Sequence, residues 1–216
     1  SDVCSSDLKA LGSQIQFVYT KKVSNLKTGT SGAETTAFLG GPILRNQIES
    51  IAFTTTNTVP SGVIGSWDVS STTDGSVMAW YKDIDSDSLY ELFIGGINGV
   101  TANITSSNLF YNLTKLTSID LTNLDTSNVT NMSSMFYGNS ALATLDLSNF
   151  DTSKVINMSY MFYGASALTS LDLSNFNTSL VTTMDSMFSG AAVITSLDLS
   201  NFITTSVTTM ASMFKN

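Results

Sequence analysis

The sequence predicts an α/β solenoid of the leucine-rich-repeat-like kind: one short strand and one short helix per repeat, a parallel sheet, and a small β-rich unit capping its head. Three observations predict it. Four copies of one unit start at Leu116, Leu142, Leu168 and Ile194, each 26 residues after the last and without insertion, a period in the range of stacked repeat architectures. Each copy opens on an alternating LxxLxL stretch, so Ile119 and Leu121, Leu145 and Leu147, Leu171 and Leu173, and Leu197 and Leu199 point to one side of a strand. Further on, Val129, Met132, Met135 and Phe136 recur at helical offsets and share a face of roughly 120°, given about 3.6 residues per turn.

The elements of a repeat follow in order. After the strand, Asn123 and Asp125 mark a turn, Thr126 or Ser127 caps the helix, and Gly138 ends it. That helix is built from Val, Thr, Asn and Ser, mediocre helix formers, so it needs neighbours above and below. Stacking supplies them, in layers of Leu, Val, Met (Met132, Met158, Met184, Met210) and Phe. Asn123 stands one place earlier than the Asn of the leucine-rich consensus, and Ser/Thr-rich repeats also stack as a parallel β-helix, which is the alternative fold. The repeats run 116–141, 142–167, 168–193 and 194–216, the last one truncated.

Upstream, residues 107–115 read as a degenerate half-repeat, because Leu109, Phe110 and Tyr111 fall under Met135, Phe136 and Tyr137 when shifted by 26. Residues 42–106 form the β-rich capping unit: IESIAFTTT alternates, and GSWDVS, GSVMAWYKD and LYELFIGG are rich in aromatic and β-branched residues between polar turns. A cap is needed because the open end of a stacked core exposes Leu and Phe to water. Residues 9–41 are weakly patterned, with IQFVYT as a strand candidate. Residues 1–8, SDVCSSDL, read as the translation of a sequencing adapter, which discounts Cys4, the only cysteine. The chain is therefore expected to be a fragment.

Composition narrows the function. Seventeen acidic against nine basic residues give a net charge of −8, and nucleic acid, which needs clustered Lys and Arg, is not an expected partner. No stretch approaches the ~18 apolar residues of a membrane span. Without His, and with Cys4 discounted, triads and typical zinc sites are out of reach, and no enzyme is expected. A carboxylate pair for glycoside hydrolysis drawn from Asp68, Asp83 and Glu91 is the only formal exception. No cofactor is expected, Ca2+ being the one alternative.

Three groups of residues are singled out. Asp120, Asp146, Asp172 and Asp198 recur on the outward side of the four strands. With their flanking hydroxyls (Ser118 and Thr122; Thr144 and Ser148; Ser170 and Ser174; Ser196 and Ser200) they form a solvated wall, the alternatives being a partner-binding face and, less expected, a cation-binding column. Stacked carboxylates should repel, raising the pKa of the interior pair, Asp146 and Asp172. The stretch Asp83, Asp85, Asp87 and Glu91 alternates like a calcium loop, although Ser88 replaces the turn glycine and Ile94 the bidentate Glu of an EF-hand; an acidic turn explains it equally. The column Asn123, Asn149, Asn175 and Asn201 reads as structural, a ladder of amides serving buried turns. Trp67 and Trp80 read as core, the alternative being a sugar-binding surface.

LDLSNFDTS at Leu145 to Ser153, followed by NMSYMFYG at Asn157 to Gly164, resembles the 26-residue repeat of BspA-like bacterial surface proteins, also found in mycoplasma lipoproteins and listerial surface proteins. GSWDVS, GSVMAWY and LYELFIGG ahead of Leu109-Phe110-Tyr111 resemble the segment preceding such arrays. Family members often carry Cys after the repeat glycine, where this chain has Asn139, Ala165 and Ala191. The resemblance implies a cell-surface or secreted location and an adhesion or protein-binding module, its partner a host or bacterial surface protein or glycan; the alternative is a passive spacer presenting another domain.

Overall fold

The computed structural model describes residues 9–11, 14–16 and 25–215. Ser1 to Leu8, Cys4 among them, lie outside the described residues, as does most of IQFVYT. β1 (Lys9–Leu11) and β2 (Gln14–Gln16) pair antiparallel. In the β-rich unit, β3 (Ile48–Thr54) stands where alternation predicts a strand, and β4 (Gly65–Asp68), β5 (Val77–Lys82) and β6 (Tyr90–Gly96) lie within the three segments rich in aromatic and β-branched residues. Three short strands follow, β7 (Val100–Thr101), β8 (Ser118–Asp120) and β9 (Leu124–Asp125).

The main sheet has the order β4-β5-β6-β3-β8, so the first repeat contributes its last strand. β3 pairs in parallel on both sides, Ile51 lying beside Leu92 of β6 and beside Ile119 of β8. The inward residues Ile51, Phe53, Leu92 and Ile94 are buried, and Phe53 meets Phe110 edge-on at 6.1 Å, which merges the core of the sheet with that of the repeats. Trp80 is buried against Phe93, and Trp67 is half-buried against Tyr81.

Residues 25–47 bind the two parts together. Asn25 bridges to Thr101 and Leu26 to Ser70. Arg45, in the 3-10 turn Arg45–Gln47, is buried. Its Nη1 donates to the Tyr111 carbonyl and its Nη2 to the Thr30 carbonyl, each at 2.6 Å, and its Nε donates to Thr36 Oγ1 at 3.1 Å. The guanidinium lies 5.7 Å from the centre of the Phe38 ring. Burial draws its pKa down, and carbonyl oxygens take the place of a counter-ion.

The α/β solenoid with a strand and a helix in every repeat does not form. Among the described residues there is no α-helix, and of the four predicted repeat strands only the first, β8, exists, because β3 lies beside it. A parallel β-helix does not form either: beyond β9 the repeats are joined by isolated bridges, Thr105 to Asn131 to Asn157 to Thr183 to Thr209. What replaces the helix is a run of tight turns shared between neighbours. Met132, Ser134, Phe136 and Gly138 donate their N–H groups to the carbonyls of Asn157, Ser159, Met161 and Tyr163 at 2.7–2.9 Å, 25 residues on. Between them, Met135 and Tyr137 close back on Met132 and Ser134 at 3.2 Å.

The same alternation recurs from Ser106, Met158 and Met184, so each 26-residue unit makes one coil seated on the next. A helix would send every N–H to the fourth residue behind it; here every second one goes to the neighbouring coil. Ser134, Tyr160, Ser186 and Ser212, at φ 53–60°, hold the left-handed conformation that no α-helix contains.

Even so, the residues assigned to the core are in it. Val129, Met132, Met135 and Phe136 are buried, as are their equivalents through Phe188. The Phe rings stack from Phe110 through Phe136, Phe162 and Phe188 to Phe214 at 5.3–5.8 Å. The last coil departs: Met210, expected in the core, is 46% exposed where Met184 is fully buried, because only one side of that coil has a neighbour in the structure.

Thr126, expected to cap a helix, is instead buried between coils. Its hydroxyl donates to the Asp151 carbonyl at 3.2 Å and accepts the Asp151 N–H at 2.9 Å. Thr152 and Thr178 repeat this with Asn177 and Ile203. The Asn column serves the backbone too: Asn175 Nδ2 donates to the Leu147 and Phe150 carbonyls, both at 2.9 Å, in the coil before it, and Asn201 does the same to Leu173 and Phe176. The amides therefore bind carbonyls of the previous coil rather than one another.

Candidate functional site

The face carrying Asp120, Asp146, Asp172 and Asp198 is built from one small device repeated. In each coil the carboxylate Oδ1 accepts the backbone N–H two residues on, at Thr122, Ser148, Ser174 and Ser200, at 2.9–3.0 Å. This Asx turn follows from Asp-x-Ser/Thr in the sequence. All four carboxylates are exposed, with Ser118, Thr144, Ser170 and Ser196 exposed two residues before them and Thr122, Ser148, Ser174 and Ser200 exposed two residues after.

The four residues do form a column, since Asp120 feels Asp146, Asp146 feels Asp172 and Asp198 feels Asp172. Their pKa values nonetheless lie below the ordinary carboxylate value, first because of the backbone N–H bond and next because of the Ser or Thr hydroxyl. The expected rise in Asp146 and Asp172 is corrected: a direct bond to the charged form outweighs repulsion between groups bathed in water. Among the described residues, no basic side chain contributes to holding these charges.

Two hollows open on this face. One, of about 280 Å³, lies where the β6–β7 turn meets the first two coils, lined by Asn98, Gly99, Thr101, Thr122, Asn123, Asp125 and Asn149 among others. The other, of about 120 Å³, lies between the third and fourth coils, lined by Asp172, Ser174, Asp198, Ser200 and Asn201 with Leu171 and Leu173. Asn98 and Gly99 enter the larger one from outside the repeats, at φ 64° and 101°. Sequence reasoning found the Asp and Ser residues but not this turn, whose only signal was the Asn-Gly pair.

The acidic stretch between β5 and β6 is rearranged relative to a calcium loop. Asp83 turns inward to accept the N–H groups of Asp87 and Ser88, and Glu91 accepts that of Ile84. Asp85 and Asp87 gather with Glu49 of β3, one carboxylate oxygen of each lying within 4.8 Å of the others. Burial pushes the Glu49 carboxyl up, with Asp87, a hydrogen bond to Glu91, and Asp85 adding to it. Hard oxygen donors of this kind suit a divalent cation. Glu49, 36 positions before Asp85, carries no local motif and was missed.

The glycosidase pair finds a partial geometry only. Asp68 lies beside Met78 near the start of β5, whereas Asp83 and Glu91 are at its far end, five residues or about 16 Å away. That exceeds the ~5–9.5 Å of paired glycosidase carboxylates. Burial raises the Asp68 pKa, but bonds from the Ser70 hydroxyl and the Ser70 and Gly75 N–H groups bring it below the ordinary value.

Fold and face together define a coil-stacked repeat protein headed by a small sheet, its outward side presenting fixed carboxylates, hydroxyls and amides. Residues 104–216, more than half of the chain, match the family described as "Mycoplasma protein of unknown function, DUF285", and the chain belongs to that family. No curated protein and no solved structure matches the chain. No helix among the described residues is long and apolar enough to cross a membrane.

Proposed function

We propose that this chain is the binding module of a BspA-like bacterial cell-surface or secreted protein, holding a partner along the Asp-Ser-Asn face without catalysing a reaction. The observation that carries the reading is the Asx-turn column itself, with Asp172, Ser174, Asp198 and Ser200 lining the smaller hollow and Thr122, at the head of the column, lining the larger. The carboxylates are exposed and held by Asx turns, yet among the described residues no basic group neutralises them. A partner surface bearing Lys, Arg or hydroxyl donors complements them. The BspA-like motifs at Leu145 to Gly164 support the surface location. The competing role, a spacer presenting another domain, needs no binding face.

The test is a binding series on the immobilised chain, using intact host and bacterial cells and purified extracellular-matrix proteins as probes. Asp146→Asn/Asp172→Asn/Asp198→Asn should lower binding at least tenfold and flatten its salt dependence, while Lys154→Ala leaves it unchanged. Equal binding by parent and triple variant, or none by the parent to any probe, favours the spacer.

A further inference from the structure

Tyr111, Tyr137 and Tyr163 hold one place in three successive coils, and their rings lie nearly parallel, 4.5 and 4.6 Å apart. The ladder then stops. One coil further on, that place is Ser189, buried, with its Oγ donating to the Lys215 carbonyl at 2.8 Å. A serine reaches only the root of a phenol ring, and among the described residues no ring stacks on the outer face of Tyr163. Beside it stands Tyr160, 41% exposed, its ring tilted 54° to that of Tyr163 with the centroids 5.8 Å apart.

Tyr160 is also strained. Its φ of 60° is the left-handed conformation that the other coils assign to Asn108, Ser134, Ser186 and Ser212. Small polar residues tolerate it; a bulky ring does so at a cost. An exposed aromatic kept in such a place contributes little to packing, and strain that persists in an exposed residue is a mark of use.

We propose that Tyr163 and Tyr160 form a saccharide seat, in which a pyranose ring lies on the outer face of Tyr163 as the next rung of the ladder with Tyr160 as its side wall. The rung spacing suits the C–H face of a sugar laid on a phenol. Hydroxyls at the sugar's rim meet the two phenol oxygens, and exposed Lys215, one coil beyond Ser189, adds an ammonium donor. The seat lies on the Met-Phe-Tyr turn of the coil and does not rest on the acidic face.

Saturation-transfer NMR on the whole chain tests it, with maltotriose, chitotriose and trigalacturonate as probes. At least one should receive saturation from tyrosine ring protons at its pyranose C–H positions. Tyr160→Ser, which installs the residue found in other coils, should fold as stably as the parent and bind at least tenfold more weakly. Ser189→Tyr, which adds a fourth ring, should keep the fold and abolish binding. Asp146→Asn/Asp172→Asn should leave saccharide binding intact, so this idea and the acidic-face reading fail separately. No transfer to any of the three sugars, undiminished binding in Ser189→Tyr, or a proline-rich peptide occupying the seat in place of all three would overturn the proposal.

Discussion

The buried threonines between coils allow a sharp test of what holds the stack. Thr152 is 1% exposed; its hydroxyl donates to the Asn177 carbonyl at 3.1 Å and accepts the Asn177 N–H at 2.8 Å. Thr152→Val keeps the shape and removes both bonds. Each is worth about 0.5–1.5 kcal/mol, and a partner left unmet in a dry interior costs about 1–3 kcal/mol. The Asn177 side chain is exposed, so water relieves part of that penalty, and the expected loss is about 2–4 kcal/mol. At about 2–4 °C per kcal/mol for a chain of this size, Tm should fall by about 4–16 °C. Hydrogen exchange at the Asn177 amide should quicken as well. Thr204 has the same sequence context one coil after Thr178 and is exposed, so Thr204→Val should stay within about 0.5 kcal/mol. A silent Thr152→Val, or equal losses at both positions, would refute the idea that hydroxyls tie the coils.

Three more outcomes follow from the geometry. Phe162 lies between Phe136 and Phe188 with its side chain fully buried, so Phe162→Ala should cost about 3–5 kcal/mol in urea unfolding. Lys154→Ala, which loses an exposed contact to Asn128 Oδ1 and a screened attraction to Asp151, should be near neutral; similar costs would mean the Phe stack is not the core. The lowered pKa values of Asp146 and Asp172 mean that their charge stabilises the fold above the unfolded carboxylate pKa, and that this stability is lost as pH falls through the folded values. Asp146→Asn/Asp172→Asn should therefore melt below the parent at neutral pH and match it in strong acid, and a variant melting above the parent would restore the repulsion picture. Glu49 has the opposite sign: its raised pKa means the charged form is disfavoured by folding, fully so above the folded pKa and no longer below the unfolded one. Glu49→Gln should raise Tm at neutral pH, with the gain vanishing as pH falls through that window; a constant gain at all pH values would assign the effect to packing.

Much of this was legible in the chain. The 26-residue frame located the stacked positions, alternation located β3, aromatic and β-branched runs between polar turns located β4 to β6, and the inward set Leu145, Leu147, Met158 and Phe162 is buried as expected. The helix was not legible as an error, because Val155, Met158, Met161 and Phe162 face one way in a helix and also in a chain of tight turns that alternates between local and cross-coil bonds. The deciding facts are backbone facts: a left-handed Ser134 or Tyr160 has no compositional mark as a glycine would. Poor helix propensity was the one available warning, and it was read as a need for neighbours rather than as a different conformation. At the candidate site, Asp-x-Ser foretold the exposed column but not its titration, which depends on an N–H two residues away. Glu49 joins Asp85 and Asp87 only because β3 and β6 pair, a long-range contact invisible to local spacing.

The near-identity of the inter-coil bonds has a mechanical side. Load applied along the chain meets a series of equivalent clasps rather than one cooperative core. Extension should proceed in discrete yields, each freeing 26 residues, or about 90 Å of contour at full stretch. The small sheet, whose β3 is gripped by β6 and β8 alike, is left as the final anchor. Such a molecule lengthens under tension by instalments and keeps its head intact while it does so.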